Sequence, residues 1–224
     1  MEFDVAHLVE MLPEIQTSFL QTLYMVGISL LVSLLIGLPL GFLLFVTDKG
    51  LFWQNRVINL VIGFIVNVIR SIPFIILLVA LIPLTIFLVG TTIGPTAASV
   101  SLSVAAIPFF ARLVESALRE IDYGVIEAAI AAGGTPWMII KDVLLPEAKS
   151  GIISSVTITI ISLVGTSAMA GTVGGGGIGD LAIRFGYYRY DDTIMFTTVI
   201  ILIILVQIIQ VIGDLLARAV NKNK

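Results

Sequence analysis

The chain has 224 residues, 58% of them apolar, with only 12% charged and a mean hydropathy of +1.11. A soluble domain carries about 25% charge, so this composition belongs in a bilayer. A net charge of −3 argues against nucleic acid as a partner. With no cysteine and a single histidine, His7, the chain offers no disulfide framework, no thiolate metal site, no cysteine nucleophile and no multi-histidine centre.

Residues 1–21 carry four acids and no Lys or Arg. They lack the basic start of a secretory signal and read as a short amphipathic lead-in that stays attached. Five apolar segments follow, at about 20–46, 57–89, 95–118, 149–173 and 193–217. Each reaches the roughly 20 helical residues needed to cross the hydrocarbon layer. The runs are continuous rather than alternating, which predicts an all-α membrane protein of five transmembrane helices. Gly37, Pro39 and Gly41 are expected to bend the first span, and Pro73 and Pro83 the second. Arg70 then lies where the crossing part of the second span begins, at 71–89, free to snorkel to the interface. The alternative is that it marks a pathway. Linkers are short and no internal repeat is evident, so residues 1–224 form a single transmembrane domain that needs a second copy or a partner to close a pathway.

Basic residues set the expected orientation. Lys49, Arg56, Arg112, Arg119, Lys141, Lys149, Arg218, Lys222 and Lys224, nine of the twelve, fall on one side, whereas Arg184 and Arg189 fall on the other. Because basic loops stay in the cytoplasm, this predicts the N-terminus outside and the C-terminus inside.

Residues 122–146 form a polar, kinked segment between spans three and four, on the expected cytoplasmic side. Asp122 to Ala132 is rich in helix formers, with Ile126, Ile130 and Gly133 at helical spacing. Gly133-Gly134 permits a tight turn, and Thr135-Pro136 reads as the N-cap and first turn of a second short helix. Trp137, Ile140 and Val143 to Leu145 give that helix an apolar face, and Pro146 ends it or begins span four. The product is a compact knob in which the small Ala128 and Ala129 allow close approach and Glu127 supplies one charge; a plain solvated hairpin is the bland alternative.

Span four carries hydroxyls in an apolar helix, with Ser154, Ser155, Thr157, Thr159, Ser162, Thr166 and Ser167. Its end, Gly165 to Gly171, is small except for Met169. Pro73, Gly165, Thr166, Ser167 and Met169 are therefore the candidate pathway or gate residues, Met169 as a soft plug, against the alternative of close helix packing. The run Gly174 to Gly179 formally satisfies G-x-G-x-x-G, but it leaves a membrane span rather than a strand, and the chain has no G-x-x-x-x-G-K-[ST]. Neither ATP binding nor hydrolysis is expected here; the stretch 171–190 is expected to fold or dip at the outer mouth. Asp180, Arg184 and Arg189 are candidates to meet an external binding protein, against an ordinary exposed loop. Asp214 and Arg218, four apart, are expected to form a surface ion pair. No acid pair or acid-histidine cluster lies in the spans, which weakens a proton-coupled carrier or an intramembrane hydrolase.

The pattern E-A-A-x-x-x-G-x9-[I/V]-x-L-P is filled at Glu127, Ala128, Ala129, Gly133, Val143, Leu145 and Pro146. It resembles the inner-membrane permease components of binding-protein-dependent, ATP-driven importers. Arg70-Ser-Ile-Pro-Phe, Ser167-Ala-Met, the glycine run and Ile183-Arg-Phe-Gly-Tyr extend the likeness over nearly the whole chain, to methionine ABC importer permeases. The resemblance implies the small type I permease fold in the bacterial inner membrane. It implies a partnership with a second copy, two cytoplasmic ATPase subunits that bind the ATP and Mg, and an extracytoplasmic substrate-binding protein or lipoprotein. It makes Glu127, Ala128, Ala129, Gly133, Leu145 and Pro146 the ATPase-coupling residues. The alternatives are a permease for another small solute, such as a different amino acid or a quaternary amine, and an ion-coupled carrier or channel.

Overall fold

The computed structural model describes residues 4–221 and is helical throughout, with no strand among the described residues. Helix α1 spans Val5–Val46 and is capped by the Asp4 carboxylate, which accepts from the backbone N–H groups of Ala6 and His7. The expected lead-in is therefore no separate segment but the first turns of this helix. At 1.5 Å per residue its 42 residues reach about 63 Å, twice the hydrocarbon thickness. The glycines expected to bend this helix are packing points. A Cβ on Gly37 would stand 2.9 Å from the Ile107 carbonyl oxygen, and one on Gly41 2.7 Å from that of Ala111. These glycines let α1 lie directly against α5 (Pro95–Arg119), its main partner. Apolar lipid gives no hydrophobic drive for helices to associate, so such close approach is what holds them.

The second span is broken more sharply than a proline bend. Helix α2 (Arg56–Ser71) and helix α3 (Phe74–Ala80) meet at 104° across Ile72 and Pro73. Pro73 has no N–H to continue the ladder, and the Ile69 carbonyl takes the Ile72 N–H instead. Helix α4 (Ile82–Val89) carries Pro83 in its first turn, where proline is tolerated. Among the described residues, four helices are long and apolar enough to cross a membrane, or five when α2 and α3 count as one broken span.

Helix α6 (Tyr123–Ala131) and the three-residue α7 (Pro136–Met138) form the knob. Helix α7 does not stop at Pro146. It passes through a π-helical stretch, Ile139–Leu144, into α8 (Leu145–Gly171), so Pro146 sits in the first turn of a continuing helix. Helix α9 (Gly177–Leu181) tucks back against α1 and α8, and a second π-helical stretch (Ala182–Tyr187) packs against α10 (Asp192–Asn221). One apolar cluster joins Phe45, Phe110, Val114 and Leu118 of the bundle to Ile126, Ile139 and Leu144 of the knob. A second joins Met25, Leu102, Leu163 and Ala170 toward the glycine run.

Candidate functional site

The knob is rigidly built. Asp122 opens α6 by accepting the Gly124 N–H at 2.7 Å. The helix ends with Gly133 at φ +79°, the Gly133 N–H donating to the Ile130 carbonyl at 2.9 Å and the Gly134 N–H to that of Ala129 at 3.0 Å. This pair of bonds is the Schellman termination, which a left-handed glycine allows. Thr135 then accepts the Met138 N–H at 3.4 Å and starts α7.

Of the expected coupling residues, Glu127, Ala128, Gly133, Leu145 and Pro146 are exposed and Ala129 is half-buried. No described residue hydrogen-bonds or ion-pairs with Glu127. The expected apolar faces need correction. Ile126 is buried but Ile130 and Gly133 are exposed, and the second helix buries Ile139 and Leu144 while Trp137 is 67% exposed. The π-helical turn inserts one residue per turn, which rotates the buried face away from ordinary helical spacing. Trp137, Met138 and Ile130 are thus exposed apolar side chains of the knob that also carries Glu127.

A charged joint lies under the knob. Glu115, 4% exposed, accepts from Arg112 Nη1 at 2.6 Å and from Arg119 Nη2 at 2.7 Å. Arg119 Nη2 also reaches Asp48 at 2.6 Å, in the turn between α1 and α2. Arg112 Nη2 donates to the Gly63 carbonyl and to Asn67 of α2 at 3.2 and 3.0 Å, while its Nε is buried without a partner. Tyr123 of α6 donates to the Gly50 carbonyl at 2.6 Å. Burial alone would raise the Asp48 carboxyl, but hydrogen bonds from Arg119 and the Lys49 N–H hold it below the usual carboxylate range. Sequence reasoning placed Arg112 and Arg119 by side only and passed over Glu115. The visible signal is its spacing, three residues after one arginine and four before another.

The pathway candidates separate. Thr166 lines a cavity of about 290 Å³ between the α2–α3 break, α5 and α8. Pro73 sits exposed at the break itself, Ser167 is buried and bonds the Val164 carbonyl, and Gly165 and Met169 share an exposed face of α8. That face continues through Ser154 and Ile158 and is left uncovered by the chain.

At the opposite end, the glycine run has its own partners. The Gly177 N–H donates to Gln21 Oε1 at 2.8 Å and the Ile178 N–H to Thr22 Oγ1 at 2.9 Å. Those two amides are spent on α1. Asp180 and Arg184 pair with each other at 2.6 Å, and Arg184 also reaches Glu14 at 3.1 Å. Burial works against the Arg184 charge, but these hydrogen bonds outweigh it and raise its pKa further. Arg189 lies 4.4 Å from the centre of the Phe185 ring. His7 donates to Asp191 at 2.7 Å and closes the start of α1 onto the last loop. The expected Asp214–Arg218 pair is replaced by a bond from Gln210 to Asp214 at 2.8 Å. Among the described residues no group of His, Asp and Glu is placed to hold a metal ion.

Residues 34–223 match the family described as the binding-protein-dependent transport system inner membrane component. The chain belongs to that family. Among relatives of this inner membrane component, the probable D-methionine transport system permease protein MetI of Vibrio cholerae is 56% identical over 205 residues, covering 92% of this chain and 91% of the relative. The methionine import system permease protein MetP of Bacillus subtilis is 48% identical, covering 95% and 96%. A chain of the MetNI methionine ABC transporter, solved in an inward-facing conformation, is 48% identical, superposes with a TM-score of 0.92 and covers 94% of this chain and 98% of that one.

Proposed function

We propose that this chain is the membrane-embedded permease of an ATP-driven methionine importer, working as a homodimer with two separate ATPase subunits and an extracytoplasmic binding protein. The single observation that carries the coupling role is the exposed knob, whose Glu127, Trp137 and Met138 are solvent-facing while Ile126, Ile139 and Leu144 anchor it to the bundle. A surface held rigidly from behind and left bare in front fits a partner that pushes on it. Basic residues gather at the knob end, which supports the N-terminus outside, the C-terminus inside and the knob in the cytoplasm. The ATPases bind ATP and Mg, and their closure draws the two knobs together and opens the pathway outward. The uncovered α8 face with Gly165 and Met169 suits a path between two copies. Arg189, exposed beside Phe185, is the part of the docking trio best able to meet the binding protein, since Asp180 and Arg184 are already engaged with each other.

Methionine enters from the names of the relatives at 56% and 48% identity. Transport of both enantiomers is part of the proposal. The test is ATP-dependent uptake of labelled methionine by proteoliposomes holding the chain, its co-purified ATPase and the cognate binding protein. Uptake that needs ATP and is competed by unlabelled L- and D-methionine supports the proposal. ATP-driven uptake of a different solute replaces the substrate, and uptake that survives ATP depletion but collapses with the ion gradient replaces the mechanism. Loss of methionine uptake with assembly intact is expected for Gly133→Asp; normal uptake by that variant rejects the coupling role of the knob.

A further inference from the structure

The cavity at the α2–α3 break is chemically two-sided. Its volume of about 290 Å³ lies at the lower end of small-molecule sites, roughly 300–1,000 Å³. Phe74, Leu77, Leu102 and Phe109 make one wall, apolar and partly aromatic. Thr159, Ser162 and Thr166 make another, one face of α8 by their three- and four-residue spacing. Thr159 donates its hydroxyl hydrogen to the Ser155 carbonyl at 2.7 Å and Thr166 to that of Ser162 at 2.9 Å. With their protons committed, these hydroxyls offer the cavity lone pairs, which is what an ammonium group needs. Arg70 lines the same cavity at the end of α2. No described residue hydrogen-bonds or ion-pairs with its guanidinium. An unpaired arginine beside an apolar hollow in a membrane protein is a carboxylate or phosphate receptor in waiting.

We infer that this cavity is a holding site for a zwitterionic α-amino acid with an unbranched apolar side chain. Arg70 takes the carboxylate, the α8 hydroxyls take the ammonium, and the side chain lies among Phe74, Leu77, Leu102 and Phe109. The identity of the amino acid as methionine rests on the function proposed above; the zwitterion chemistry rests on the cavity. The break at Ile72-Pro73 has a purpose in this arrangement. The 104° turn lets Arg70 of α2 and Phe74 and Leu77 of α3 line the same cavity.

The chain has no cysteine, so Ser162→Cys or Thr166→Cys introduces a unique thiol into it. The experiment follows the rate at which a small thiol reagent modifies this chain, within the assembled complex with its ATPase in lipid nanodiscs, across a titration of L-methionine. Uptake by the same variant complexes, reconstituted with the binding protein, is measured in parallel. Bound methionine slows modification saturably, by about tenfold at ten times its Kd. The carboxylate-free analogue 3-(methylthio)propylamine does not protect. Arg70→Gln raises the half-protecting methionine concentration by roughly tenfold to a hundredfold, the worth of a hydrogen bond to a charged group, and Arg70→Lys recovers part of it. Modification indifferent to methionine in both cysteine variants, while uptake of methionine continues, overturns the site and leaves the importer standing. Modification that responds to anionic against neutral lipid but not to methionine assigns Arg70 to a lipid phosphate, and it too overturns the site. No methionine uptake, combined with Arg70-dependent protection by another amino acid, overturns the substrate and leaves the site standing.

Discussion

The two ends of the bundle use the same materials, glycine and a π-helical turn, for opposite purposes. At the knob, Gly133 adopts φ +79° in open space; a Cβ there would touch nothing within 4 Å. At the glycine run, a Cβ on Gly179 would run into the backbone of Ala168, and one on Gly171 into that of Asp180. The first glycine is chosen for conformation and leaves a surface free; the others are chosen for contact and leave none. The contrast extends to charge. The knob end buries an acid, Glu115, between two arginines, whereas the ion pairs of Arg184 at the other end are half-exposed. One end is a rigid mount with a bare face, the other a closed plug of backbone against backbone.

Glu115→Ala tests the charged mount hardest. It strips Arg112 and Arg119 of their shared partner inside the bundle, and the thermal stability of the purified complex should fall by about 3 kcal/mol. Arg184→Ala removes as many ion-pair partners at the opposite end and should cost less than about 1 kcal/mol, because those pairs are half-exposed. Equal losses from both would erase the distinction between the ends. Gly179→Ala comes next, at about 1–3 kcal/mol, since α9 must move off Ala168 to admit a methyl group. Loss of helical circular dichroism on heating the purified complex reads this. Gly133→Ala should cost only about 1 kcal/mol, through its left-handed backbone alone. A Gly133→Ala loss exceeding that of Gly179→Ala would mean the knob, too, is held by close packing.

How much of this was legible in the sequence follows the same division. Helix α5 (Pro95–Arg119) covers the expected 95–118 because a proline opens it and continuous apolar residues fill it. The turn at Gly133-Gly134 and the cap at Thr135 follow from local chemistry that needs no partner. Three features were hidden because each depends on distant groups or on non-ideal helix geometry. The π-helical turn at Ile139–Leu144 displaces the buried positions that 3.6-residue spacing points to. The 104° break at Ile72-Pro73 looks, as sequence, like one more bending proline. Gly37 and Gly41 read as flexible points, yet they are contact points for α5, whose position the local sequence does not encode. Glu115 was overlooked for a related reason: its second arginine reaches Asp48 across 71 residues of chain.

That reach gives the smallest effect, and a signed one. Asp48 holds its proton less tightly in the folded chain than in the unfolded one, because Arg119 and the Lys49 N–H favour the ionised carboxylate over the cost of burying it. A lowered folded pKa contributes stability above the ordinary carboxylate pKa, about 4, and loses it as pH falls through the folded value. The side chains of Asp48 and Arg119 are 32% and 48% exposed, so the contribution stays below about 1 kcal/mol. Asp48→Asn should therefore be slightly less stable than the parent from pH 7 down to about 5. The two unfolding curves should converge as pH drops through about 4 and below. High salt should narrow the gap at neutral pH, because a half-exposed pair is screened. A gap that widens on acidification would mean Asp48 is protonated in the folded chain, and the turn after α1 would then be tied to α5 by something other than charge.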